Sequence, residues 1–185
     1  FKDKTSFNED ISGWNVSNVT SMESMFQASS FNQPLDTWDV SKVTSMLNMF
    51  QNATTFNQSL DSWDVSNVKT MESMFFGNTS FNQPLNNWNV SNVETMFTMF
   101  TDTPFNQPLN NWDVSKVTRM RGVFFRARSF NQPLNNWDIS KVTSIRGMFD
   151  NADVFNQDIS NWDVLNVTSY HAYGSGSGHS NSNFT

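Results

Sequence analysis

The feature that most constrains this chain is a phenylalanine returning at a nearly constant interval, at Phe7, Phe31, Phe56, Phe81, Phe105, Phe130 and Phe155. The spacings are 24, 25, 25, 24, 25 and 25 residues. Every copy carries text close to FNQPLNNWNVSNVETMFTMF, the stretch from Phe81 to Phe100. A fixed period in this range means stacked coils, so length counts coils and not independent cores. In the copy from Phe31 to Thr55, the positions that stay apolar elsewhere are Phe31, Leu35, Trp38, Val40, Val43, Met46, Met49 and Phe50. With 18 Phe, 7 Trp and 10 Met, the apolar volume sits in large side chains at fixed places, which is not a disordered composition.

The spacing within a copy predicts one short strand and one short helix per coil, an α/β repeat of about seven coils. In LxxWxV, Trp38 and Val40 fall on one face of a strand, and Thr37 and Asp39 face outward. Val43, Met46, Met49 and Phe50 then follow as i, i+3, i+6, i+7, a helical stripe of about two turns. A serine stands before that stripe at Ser17, Ser41, Ser66, Ser91, Ser115 and Ser140 and suits an N-cap, with Glu94 completing a capping box for Ser91. Leu165 takes the serine's place in the last copy. Pro34, Pro84, Pro108 and Pro133 hold the chain extended before the strand. The asparagine after each first Phe (Asn8, Asn32, Asn57, Asn82, Asn106, Asn131, Asn156) predicts an internal ladder, each amide bonding the backbone of the next coil. One coil cannot offset the entropy of ordering itself, so stability must come from stacking, with columns of Phe, Trp and Met.

Residues 1–173 read as the repeat array and 174–185, rich in Gly, Ser and Asn, as a flexible tail. The late Phe of each copy precedes the next first Phe by five or six residues, and Phe1 precedes Phe7 by six. Phe1 is therefore expected to close an earlier coil of a longer array. The seventh copy is worn: Tyr170 and Tyr173 replace the Met pair, and Gly174 stands for the late Phe. Neither end has an obvious polar cap, so other segments are expected to cover them or neighbouring molecules to pair there.

The pattern FNQxLxxWxVSxVTxMxxMF, met together in Phe81, Asn82, Trp88, Val90, Ser91, Val93, Met96, Met99 and Phe100, resembles the roughly 25-residue repeats of BspA-like bacterial surface proteins, a leucine-rich-repeat-related group. The resemblance covers Phe1 to about Tyr173. It implies a leucine-rich-repeat-like solenoid, extracellular or on the cell surface, that serves adhesion or protein recognition, with no catalytic residues to carry over. The proline column departs from the family's FNQDIS, which Phe155 to Ser160 preserves.

Composition narrows the function further. A net charge of −6 argues against a phosphate-binding surface and hence against nucleic acid as partner. Arg119, Arg121, Arg126 and Arg128 are the local exception, read as a solvated face. No cysteine is present, and no apolar run approaches the ~20 residues of a membrane span. His171 and His179 lie in the worn copy and tail without a nucleophile or ligand cluster, so the chain is not expected to be an enzyme or to carry a cofactor or metal. A 25-residue period is too short for a propeller blade despite the Trp-Asp pairs.

The candidate binding residues are the two outward polar columns: Thr37, Ser62, Asn87, Asn111, Asn136 and Asn161, and beside them Asp39, Asp64, Asn89, Asp113, Asp138 and Asp163, with Asn15 preceding. They offer carboxylates and amides to a protein or glycan on another surface. The competing use is local, each Asp or Asn bonding the turn that follows it. Sequons occur throughout, with Asn15 and Asn89 the more plausible glycosylation acceptors if the protein passes through a secretory pathway. Two further readings are kept: a structural subunit that self-associates through open ends into a filament or surface layer, and ice binding by Thr20, Thr44, Thr118, Thr143 and Thr168, a column that Lys69 and Glu94 interrupt.

Overall fold

The computed structural model describes residues 1–169. The repeats stack in register, and successive coils touch through isolated parallel bridges that run from Ser21 to Ser45, Thr70, Thr95, Arg119, Ser144 and Ser169. Tyr170, His171, Tyr173, Gly174 and the tail at 174–185 lie outside the described residues.

Each coil is a closed course of β-turns. In the Phe31 copy the Trp38 N–H donates to the Leu35 carbonyl (3.1 Å), Val43 to Val40 (2.9 Å), Met49 to Met46 (3.2 Å), Ala53 to Phe50 (3.1 Å) and Phe56 to Ala53 (3.1 Å). Every one of these turns begins and ends on a buried apolar side chain. The two residues between point to solvent or lie half-buried. A turn spans three residues, and this is the source of the LxxW, VxxV and MxxM spacing.

The expected α/β coil of one strand and one helix is therefore corrected. No helix occurs among the described residues, and extended pairing is limited to the isolated bridges. The backbone bonds give the reason. An α-helix needs each amide to reach the carbonyl four residues back. Here alternate amides leave the coil: Met46, Asn48, Phe50 and Asn52 donate to the carbonyls of Thr70, Glu72, Met74 and Phe76 in the next coil, at 2.7–3.0 Å. The intervening amides of Met49, Gln51 and Ala53 close turns within their own coil. Pairing with a neighbouring coil and closing an α-helix compete for the same N–H groups, and pairing wins.

Two of the turns carry a left-handed residue in third position, the mark of type II geometry. The sites are Asn48 (φ 57°) and Asn52 (φ 56°), and their equivalents include Ser73 with Gly77, Thr98 with Asp102, and Gly122 with Arg126. Gly77 also needs its missing side chain, because a Cβ there would run into the Asn52 amide oxygen of the preceding coil.

The interior is a set of like-on-like columns. Phe26, Phe50, Phe75, Phe100, Phe124 and Phe149 stack at 5.5–5.8 Å with their planes within 6°. Each late Phe also stacks on the first Phe of the following copy, as Phe50 does on Phe56 at 3.9 Å. Phe1 takes the late-Phe place, stacked on Phe7 at 4.1 Å and on Phe26 at 5.6 Å. A tryptophan column from Trp63 to Trp162 repeats at 6.3–6.5 Å. Its indole N–H groups serve a purpose the sequence did not disclose: each donates to a carbonyl of the preceding coil, Trp63 to Leu35 at 2.8 Å and Trp112 to Leu85 at 2.9 Å. The asparagine ladder is present from end to end. The Asn32 side-chain oxygen accepts the Asn57 N–H at 3.0 Å, and Asn8, Asn57, Asn82, Asn106 and Asn131 repeat the bond.

Candidate binding surfaces

The outward carboxylate column is built by a local turn. Asp39 accepts the Ser41 N–H at 3.1 Å, and Asp64, Asn89, Asp113, Asp138 and Asp163 do the same for the residue two places on. The serines thus cap no helix; they donate to the preceding Asp or Asn, and Glu94 closes no capping box but passes its N–H to Lys69 O at 2.8 Å. The Ser41, Ser115 and Ser140 hydroxyls, followed by the amides of the same residues, hold the Asp39, Asp113 and Asp138 carboxyls below the usual aspartate range. Of the two uses open to this column, the local one is realised.

The neighbouring column divides by coil. The Thr37 and Ser62 hydroxyls donate to Ser12 and Asp36 carbonyls at 2.8 Å, Asn87 donates to the Asp61 carboxylate at 2.7 Å, and Asn161 to the Asn135 carbonyl at 2.6 Å. Those side chains are tied to the preceding coil. The Asn111 amide is without a hydrogen-bond partner among the described residues.

Asn111 belongs to a surface groove of about 370 Å³ lined by Asn110, Asn111, Trp112, Asp113, Val114, Asn136 and Asp138. Four of the column residues named from the sequence, Asn111, Asp113, Asn136 and Asp138, therefore meet at one concave site. The Trp112 ring is buried, so the groove presents amides and carboxylates and no aromatic platform. Among the described residues no His, Cys, Asp and Glu come together in a way that could hold a metal ion. Asn15 and Asn89 are exposed, their side-chain oxygens bonded to Ser17 and Ser91.

The threonine column lies on the bridged segment and not on a helix. Thr44, Thr118, Thr143 and Thr168 each turn the hydroxyl to a carbonyl of the preceding coil, at 3.1–3.3 Å.

A second surface escaped the sequence reading. Arg119 and Arg121 lie over the Phe97 ring at 5.4 and 5.8 Å, and Arg126 over Phe125 at 5.1 Å. The arginines were legible as a cluster, but Phe97 stands in the coil before them, and only stacking brings it alongside. Arg119, Arg126 and Arg128 also approach Glu72, Asp102 and Asp153 at 3.6–3.7 Å.

Comparison with known families supplies the context for this repeated geometry. The model of one family matches residues 1–46, 27–104 and 87–185, three overlapping stretches that together cover the chain. The chain belongs to the family described as Mycoplasma protein of unknown function, DUF285. The matched stretches begin and end in different coils, as a family defined by repeats requires. No curated protein matches the chain. Among the described residues no helix is long and apolar enough to cross a membrane.

Proposed function

We propose that this member of a bacterial repeat family is a non-enzymatic scaffold of the BspA-like kind, displayed outside the cell or on its surface, that recognises a protein or glycan on another surface. One observation carries the reading: the side chains common to all coils are committed to the stack, and the polar groove at Asn111 and Asn136 is where amide side chains not bonded to another coil become concave. The Asn, Trp and Asp columns spend their hydrogen bonds on neighbouring coils or on their own turns. A shallow site of amides and carboxylates suits exchangeable polar contacts with a partner's backbone or hydroxyl groups.

The test has two arms. A membrane-impermeant labelling reagent applied to intact cells should modify the protein, and protection until lysis would end the surface assignment. The isolated chain, immobilised and exposed to a panel of extracellular proteins and glycans, should retain a partner whose capture falls when Asn111→Ala and Asn136→Ala are combined. Capture that ignores both substitutions would move recognition away from this groove.

A further inference from the structure

Comparing the coils with one another separates two kinds of position. Those that repeat (Phe, Trp, Asn, and Asp or Asn before Ser) hold the stack together. Positions on the turn face, most of them exposed or half-buried, differ from coil to coil. The residue after the first Met is Glu23, Leu47, Glu72, Phe97 and Arg121 in turn, with Arg146 next; the residue after the late Phe is Gln27, Gln51, Phe76, Thr101 and Phe125. Backbone bonds fix the course of the chain here in every coil, and the side-chain bonds are particular to single coils, as that of the Thr101 hydroxyl to the Gly122 carbonyl is, so these places carry chemistry specific to one coil.

That freedom has concentrated one chemistry. All five arginines of the chain lie between Arg119 and Arg146, on a protein of net charge −6. Arg119, Arg121, Arg126 and Arg128 are exposed. Phe97 and Phe125 are half-buried among them, with guanidinium groups lying over their rings. Arg121 pairs with no carboxylate among the described residues, and residues 170–185 contain neither Asp nor Glu to serve it. The three ion pairs that do form are long and largely solvated, so the guanidinium forks retain donors to offer.

We propose that Phe97, Arg119, Arg121, Phe125 and Arg126 form a docking surface for an extended acidic polypeptide segment in which carboxylates alternate with apolar side chains. Guanidinium forks match carboxylates in paired hydrogen bonds. In an extended strand alternate side chains point the same way, so acidic residues two apart turn a row of carboxylates to the arginines, whose guanidinium groups rest on the Phe97 and Phe125 rings, while the apolar residues between them face away. A polysaccharide fits less well, because the Phe97 ring already has two guanidinium groups over it and offers little open face for a sugar. A second copy of the chain is opposed by like net charge. This surface is separate from the polar groove, and its existence does not depend on that reading.

Fluorescence anisotropy of the full chain tests it, with a labelled peptide of alternating Glu and Leu, its Lys–Leu counterpart, and hyaluronan as a polyanionic glycan. The Glu–Leu peptide is expected to bind, more weakly as salt rises, and the Lys–Leu peptide not to bind. Combining Arg121→Glu with Arg126→Glu should weaken binding by about tenfold or more, a loss typical of charge reversal at a complementary contact. Lys42→Glu with Lys116→Glu changes net charge equally on the other columns and should leave binding intact, as should Asn111→Ala with Asn136→Ala. Unchanged circular dichroism establishes that each variant folds. Absence of peptide binding, equal loss from both charge-reversal pairs, preference for hyaluronan, or a dimer in sedimentation that the arginine substitutions dissolve would each overturn the proposal.

Discussion

Asn32 illustrates what a single side chain does in this stack. Its oxygen accepts both the Asn57 N–H and the Gln58 side-chain N–H, at 3.0 Å each, so removing it leaves two donors of the next coil short of a partner. Asn32→Ala should cost about 1–3 kcal/mol in urea denaturation, while Asn32→Asp, which keeps the acceptor, should recover most of it. Ala28 makes the opposite case. It sits at φ 52°, where an L-residue is strained by about 1–2 kcal/mol and glycine is not. After glycine's larger backbone entropy is subtracted, Ala28→Gly should stabilise the protein by up to about 1 kcal/mol. Gly77→Ala should destabilise it, because the added Cβ meets both a left-handed backbone and the Asn52 amide. If both substitutions act in the same direction in parallel melts, the turn assignment is wrong. The asparagine ladder was readable from sequence because the residue recurs without exception beside the first Phe. The left-handed positions were not, since Ser, Ala, Asn, Thr, Asp, Arg and Gly all occupy them.

The turn is the element from which each coil is made, and it explains both successes and errors of the sequence reading. Apolar residues three apart were rightly placed in the interior, as Val43, Met46 and Met49 are. The same spacing also predicts a helix, which the turns replace, because a short window cannot separate a strict period of three from one of 3.6. The turns that depend on Asp39, Asp113 and Asp138 add a pH response. Their carboxyls titrate lower in the folded than in the unfolded state, because serine hydroxyl and amide groups donate to the ionised form. The support they give is complete above the unfolded value of about 3.9 and is lost as pH falls through the folded values. Thermal melts should therefore hold level from neutral pH down to about pH 5 and drop below about pH 4. A decline already under way near neutrality would contradict this cause. In the same element, Trp112→Phe keeps a ring in the column and removes the indole donor from the Leu85 carbonyl, which still accepts the Trp88 N–H, at a cost of about 0.5–1.5 kcal/mol for the lost bond in urea denaturation.

For the molecule as a whole, stability resides between coils: backbone bonds and ring stacking join each interior coil to the one before and the one after, and the Arg119–Glu72 ion pair reaches across the coil between them. Deleting residues 81–104, one complete period, should rejoin Ser80 to Phe105 in register and leave a folded protein with fewer interfaces. Its melting temperature is expected to fall without loss of cooperativity, whereas a deletion half a period long should unfold the chain. Hydrogen exchange should be slowest in the central coils, whose amides have neighbours on both sides. The candidate surfaces follow the same division. The repeated polar columns were visible in the sequence but proved largely engaged in turns and inter-coil bonds. The groove at Asn111 and Asn136 and the arginine surface around Phe97 exist only where particular coils lie side by side.

The sequence by itself determined the period, the number of copies, the identity of the buried side chains and the asparagine ladder, because each is a pattern carried along the chain. Only the tertiary structure decided that the coil is built of turns and not of a strand and a helix. Amides such as those of Met46, Asn48 and Phe50 find their acceptors in the next coil, some 25 residues along the chain, beyond any local window. With those partners absent from view, a helix is the economical reading; with them present, turns leave alternate N–H groups free to bind the neighbour.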